Sequence, residues 1–130
     1  MIETFKTLGV PLERGGIMAA FGCNFQGDVP VSHLVDLVTQ LLDIAAEHNV
    51  AYEYIMLADT MAWATPRSIK IALDAIWTRH PGLPLSLHLH DTRGMGIACA
   101  YAGLEMGIHH FDTAVAGLGG CPFAGHAGAA

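Results

Sequence analysis

Two short stretches of this chain carry side chains whose type and spacing suit chemistry. One is Leu87-His88-Leu89-His90-Asp91-Thr92-Arg93, the other Ala114-Val115-Ala116-Gly117-Leu118-Gly119-Gly120-Cys121-Pro122-Phe123. His88 and His90 stand two apart in an apolar run with strand character, so both imidazoles leave the same face and can converge on a divalent cation. Histidines so spaced also occur as hydrogen-bonded core residues; Asp91 and Arg93 on the following turn tilt the reading toward chemistry. Cys121 hangs on a glycine-rich turn. Gly117, Gly119 and Gly120 let the backbone turn tightly and approach a ligand closely, and Pro122 fixes the chain direction just after the sulfur. A lone cysteine is more often a buried, inert residue, and the histidine run upstream is what makes Cys121 a candidate reacting thiol.

Short apolar strands alternating with longer amphipathic segments must position these groups. Residues 17–23 read as a strand ending in Gly22-Cys23. Over residues 31–48, Leu34, Leu37, Val38, Leu41 and Ala45 recur at three and four residues, the stripe of a helix packed on one face. Residues 52–59 form the next expected strand. Thr65-Pro66 then supplies an N-cap and a proline at the first helical position, with Ile69, Ala72, Leu73 and Ile76 continuing at helical spacing until His80-Pro81-Gly82. A third strand is expected at 85–90, a third helix at 94–106 with Gly107 as terminator, and a fourth strand at 108–116.

Strand and helix repeated with short connections specify an α/β fold of parallel strands joined by right-handed crossovers. The polar candidates, Cys23, Asp59, His90 with Asp91, and the Cys121 loop, fall where strands end. In parallel architectures that is where ligands bind. Four such units make half of an eight-stranded (β/α)8 TIM barrel, which ordinarily takes about 250 residues. An open doubly wound sheet of four or five strands satisfies the same periodicity.

Composition narrows the function classes. At 130 residues, with 52% hydrophobic and 14% charged residues, one apolar domain is expected over residues 1–130. A net charge of -6 with six Lys plus Arg excludes a nucleic-acid surface, which needs a basic stripe. No apolar stretch is long enough for a membrane span, and no basic-hydrophobic leader stands at the amino end, so cytoplasm or mitochondrial matrix is the expected compartment. Cys23, Cys99 and Cys121 are an odd, widely spaced trio that reads as free thiols.

The chain resembles the carboxyl-terminal part of the 3-hydroxy-3-methylglutaryl-CoA lyase family, within the DRE-TIM superfamily of metal-dependent carbon–carbon lyases and synthases. Ala20-Phe21-Gly22-Cys23 matches the end of the fifth barrel strand, Leu57-Ala58-Asp59-Thr60 the sixth, and His88 to Gly96 the seventh. The run from Gly117 to Phe123 matches the cysteine signature of the lyase branch after the eighth strand. Related aldolases and condensing synthases share the His-x-His strand and lack this loop.

The resemblance implies that His88 and His90 ligate Mg²⁺ or Mn²⁺, with His88 also a candidate for moving the proton. It makes Cys121 an acid–base residue on a loop and has Asp59 lining the acyl pocket. The implied substrate is an acyl-CoA, cleaved to acetyl-CoA and acetoacetate, and the complete enzyme is expected to be a homo-oligomer. Asn24 stands where the pattern has proline, Ala62-Trp63 where it has a Gly-Val type pair, and Cys99 where asparagine is common. A first strand bearing an arginine and a metal-binding aspartate, and an asparagine ligand after the cysteine loop, have no counterpart, so a fragment inactive by itself is expected. The alternative of a different class is a non-catalytic half-barrel whose open edge binds another chain.

Overall fold

The computed structural model describes residues 2–121. In chain order the elements are α1 (Ile2–Leu8), β1 (Arg14–Ile17), β2 (Gly22–Cys23), β3 (Gly27–Asp28), α2 (Val31–Glu47), β4 (Tyr54–Ala58), α3 (Pro66–Arg79), β5 (Leu85–His88), α4 (Gly96–Met106) and β6 (His110–Phe111). A single 3-10 turn follows at Val115–Gly117.

β1, β4, β5 and β6 form one sheet in that order, every neighbouring pair parallel. Spatial order equals chain order, so each right-handed crossover runs the same way and puts its helix on the same face. That separates a segment of barrel from an open doubly wound sheet, in which the order reverses and helices cover both faces. Helices α2, α3 and α4 pack in succession along that face. Alternation along the strands sends Ile55, Leu57, Leu85 and Leu87 into it, and all four are buried.

Leu34 and Val38 of α2, Ile69, Leu73 and Ile76 of α3, and Cys99 and Ala102 of α4 complete this core. Gly103 lets α4 approach closely: a Cβ there would come within 2.6 Å of Leu87 Cδ1. The start of α3 is capped as its sequence predicts. The Thr65 hydroxyl accepts from Ser68 N at 3.1 Å, and Ser68 Oγ accepts from Thr65 N at 2.8 Å.

The opposite face carries the polar side chains, beside buried Met56 and Ala58. Arg14 of β1 and Asp112, just past β6, project from it, and Arg14 Nη1 lies 3.1 and 3.0 Å from the two Asp112 carboxylate oxygens. Three strand spacings separate those positions, about 14 Å in a flat sheet, so the contact requires a strongly curved wall, concave on this side.

Two strand expectations are corrected. The first strand is Arg14–Ile17 and shares only Ile17 with the expected 17–23. Beyond Ile17 the chain leaves the sheet at Ala19, which has φ 50°. It is held there by Thr60 Oγ1, which accepts from Ala19 N at 2.8 Å, and continues into the antiparallel ribbon of β2 and β3. The fourth strand is His110–Phe111 rather than 108–116: among the described residues it pairs only with β5, through Ser86 and Leu87. Helix α1 carries no buried residue, and apolar periodicity had nothing there to report. Among the described residues no helix is long and apolar enough to cross a membrane.

Candidate active site

The last turn of β5 and the loop after it set the two histidines. Alternation with buried Leu87 places His88 on the concave face, and His90 joins it: their Nε2 atoms are 3.1 Å apart. His88 Nδ1 lies 2.8 Å from Asp112 Oδ2, which also meets Arg14. A carboxylate at Nδ1 keeps the proton on that nitrogen and leaves Nε2 as a lone pair. Burial pushes the Asp112 carboxyl up, but the His88 hydrogen bond and the Arg14 guanidinium outweigh it and hold the carboxyl below its ordinary value.

His90 has the opposite character. Its Nδ1 is buried with no hydrogen-bond partner, and burial, followed by the charge on His88, pushes its pKa down, which favours the neutral ring. With both rings neutral and protonated on Nδ1, two lone pairs face each other across 3.1 Å. With a proton on Nε2, a buried acceptor is left unsatisfied. A cation between the two Nε2 atoms removes the first conflict, and metal–ligand bonds of about 2.1 Å at right angles give an edge of about 3.0 Å. The two imidazoles therefore fit half of a hard-cation shell. Among the described residues no group of three or more His, Cys, Asp or Glu completes it.

A cavity of about 610 Å³ opens beside this pair. His88, His90, Asp91 and Asp112 supply its polar wall; Ile97, Leu104, Phe111 and Leu118 supply its apolar wall. Gly117, Gly119 and Gly120 of the cysteine loop also line it, so the glycine-rich turn does run beside the histidines. The size suits a small ligand with one apolar flank. Cys121, half-buried, follows immediately. Pro122 and Phe123 of the motif lie outside the described residues.

Asp59 is buried just past β4, at the same end of the sheet as His88, and does not line that cavity. Its Oδ1 accepts from Trp63 N at 2.7 Å and from Ala64 N at 3.0 Å, while its own N donates to His88 O at 2.8 Å. Burial pushes its carboxyl up against the opposing pull of those amides and of Arg93. This carboxylate organises the loop after β4. Asp91 does the same for α4, with Oδ1 accepting from Gly96 N at 2.6 Å.

The cysteines divide as well. Cys99 is buried on the inner face of α4, and burial followed by the carboxylates of Asp59 and Asp91 pushes its thiol up to about 11, which makes it inert. The ion pair of Arg14 and Asp112 is the part of the site that motif reading missed. Period-two alternation from His110 to Asp112, and from Gly16 back to Arg14, was the available signal.

Comparison with known proteins agrees with this geometry. The family described as HMGL-like matches residues 2–130. A hydroxymethylglutaryl-CoA lyase of Bacillus subtilis is 36% identical over 111 residues, 85% of this chain and 35% of its own length. The (R)-citramalyl-CoA lyase of Chloroflexus aurantiacus is 40% identical over 126 residues, 92% of this chain and 38% of its own. The HMG-CoA lyase structure from Brucella melitensis superposes with a TM-score of 0.79 at 32% identity, covering 98% of this chain and 43% of that one. The chain thus spans little more than a third of the length of the curated relatives it matches.

Proposed function

The chain belongs to the HMGL-like family of carbon–carbon lyases, and from that premise we propose that residues 1–130 supply strands five to eight of a metal-dependent barrel that cleaves a 3-hydroxyacyl-CoA. The substrate is 3-hydroxy-3-methylglutaryl-CoA, cleaved to acetyl-CoA and acetoacetate, or a close relative of it. The observation that carries this reading is the pair of facing Nε2 atoms 3.1 Å apart on the concave wall, beside a cavity lined by the cysteine loop.

His88 and His90 are the residues that would hold Mg²⁺ or Mn²⁺. When bound, such a cation supplies charge neutralisation for the substrate's hydroxyl and carbonyl oxygens. Asp112 and Arg14 keep the His88 ring in one tautomer and one orientation. The tertiary hydroxyl loses its proton to a base; His88, with Nδ1 protonated against Asp112 and Nε2 turned to the cation, has no lone pair left for that role. The bond from the carbinol carbon to the methylene beside the thioester then breaks, and its electron pair passes to the acetyl-CoA enolate. The Cys121 thiol returns a proton to that carbanion.

The test is cleavage of the acyl-CoA by the complete barrel containing these residues, with the Cys121→Ala variant beside it. Loss of a positioned proton donor predicts a fall of about 10²–10⁴-fold in kcat with the fold retained. Unchanged turnover in Cys121→Ala removes the thiol from the mechanism, and activity surviving exhaustive chelation removes the cation. The 130 residues alone are expected to be inert, because two neutral nitrogens without an anionic oxygen make a poor hard-cation site.

A second reading, a docking half-barrel, is favoured by one observation: Ile97, Tyr101 and Leu104 of α4 are 82%, 63% and 52% exposed. Sedimentation of the 130-residue chain across concentration separates the two, since a docking module associates whether or not substrate is present.

A further inference from the structure

Trp63 ties together three loops at the carboxyl ends of the strands. Its indole Nε1 donates to Asn24 Oδ1 at 3.0 Å, and the Arg93 guanidinium carbon lies 5.1 Å from its ring centroid. Its ring also fills the space over Gly22, where a Cβ would come within 2.9 Å of ring carbon Cε3, so only glycine leaves room for it. Asn24 follows β2, Trp63 follows β4 and Arg93 follows β5. The backbone beneath is pinned too: Trp63 N donates to Asp59 Oδ1 at 2.7 Å and Asn24 N donates to Met61 Sδ at 3.3 Å. Asn24 and Trp63, two positions where the sequence departs from the lyase pattern, are therefore in contact with each other.

A guanidinium resting on an indole has already lost much of its rotamer freedom while its N–H edge remains open to a ligand. Among the described residues Arg93 makes no ion pair or hydrogen bond. It stands three residues past His90, on the loop that leaves the reacting pair. Arg93 and His90 share the loop past the carboxyl end of β5, the end at which parallel strands present ligands.

Resting on the lyase reading above, we propose that Trp63, clasped by Asn24, is a shelf that fixes Arg93 as the clamp for the free carboxylate of the acyl chain. Arg93 and Trp63 then determine which 3-hydroxyacyl-CoA is accepted. Hydroxymethylglutaryl-CoA and citramalyl-CoA both end in such a carboxylate, one methylene apart. A rigid shelf discriminates between them by where it holds the cation.

The experiment compares cleavage of these two thioesters by the complete barrel containing these residues with cleavage by its Arg93→Met, Arg93→Lys and Trp63→Val variants. Arg93→Met is expected to lower kcat/KM roughly 10- to 100-fold, mostly through KM, with inhibition by free coenzyme A unchanged and Arg93→Lys recovering part of the loss. Trp63→Val is expected to shift the preference between the two substrates by about tenfold or more. Arg93→Met within about threefold of the parent overturns the proposal. So does a matching loss of inhibition by free coenzyme A, which would assign the cation to the phosphates. If the parent cleaves neither thioester, the lyase reading fails separately, and the clamp is read by quenching of tryptophan fluorescence on titration with free citramalate. Quenching present in the parent and lost in Arg93→Met upholds it; quenching equal in both, or absent in the parent, overturns it.

Discussion

The two faces of one curved sheet are built on opposite terms. The convex face buries Ile55, Leu57, Leu85 and Leu87 against three helices and contributes stability through area removed from water. The concave face carries Arg14, His88 and Asp112, joined in a chain of contacts from 2.8 to 3.1 Å, with His90 completing it and one buried nitrogen left unpaired. Because strand residues alternate, each strand serves both faces at once. A one-residue slip in register would exchange the core for the site, which is why the apolar face pins the histidines so firmly.

The largest test of this division is His88→Ala in the complete barrel. Turnover should fall by about 10²–10⁴-fold while the urea midpoint barely moves, since the ring is only half-buried. A large drop in stability would mean that the concave face is also core. Leu73→Ala is the converse. It empties a fully buried site under the convex face and should cost about 2–5 kcal/mol in urea unfolding, with kcat of the folded fraction unchanged.

Asp59→Ala falls between the two. The amides of Trp63 and Ala64 lose their buried acceptor, a cost of about 1–3 kcal/mol, and the loop bearing Trp63 loosens. KM should therefore rise more than kcat falls. An equal change in both would place this carboxylate in the chemistry.

The smallest effect is on pH. Burial depresses the His90 pKa below the ordinary 6.5, so between those two values the unfolded chain binds the extra proton and the folded chain does not. The contribution of His90 is thus full above 6.5 and is lost as pH falls through the folded value. In chelator, urea midpoints compared at about pH 7.5 and about pH 5 should fall less in His90→Gln than in the parent. Equal falls would show that burial of this ring is not the cause.

Much of this was legible in the residues. Stripes such as Leu34, Val38 and Ala45 report a helix because the core reads them directly, and the Thr65-Pro66 start works through local hydrogen bonds that no distant residue alters. That the strands run parallel follows from the alternating elements, whereas their sequential order is settled only by the sheet itself. The first strand was misplaced because the apolar residues from Met18 to Phe21 pack as a turn held by Thr60, a partner 41 positions away. Resemblance places Asp59 in the acyl pocket; the hydrogen bonds of its carboxylate to the amides four and five residues ahead are a detail that no motif states. Arg14 is a different case: period-two alternation puts it on the concave face, but nothing near it in the chain announces a partner at Asp112.

That partner lies 98 positions further on, across the whole sheet. Neighbouring strands can pair with modest loop-closure cost, but the Arg14–Asp112 contact forms only after every strand between has docked and the wall has bent. The orientation of His88 is accordingly an end product of folding. A nascent chain that has not yet released Asp112 holds its histidine without a tether, so the fixed orientation of that ring arrives only with completion of this half of the barrel.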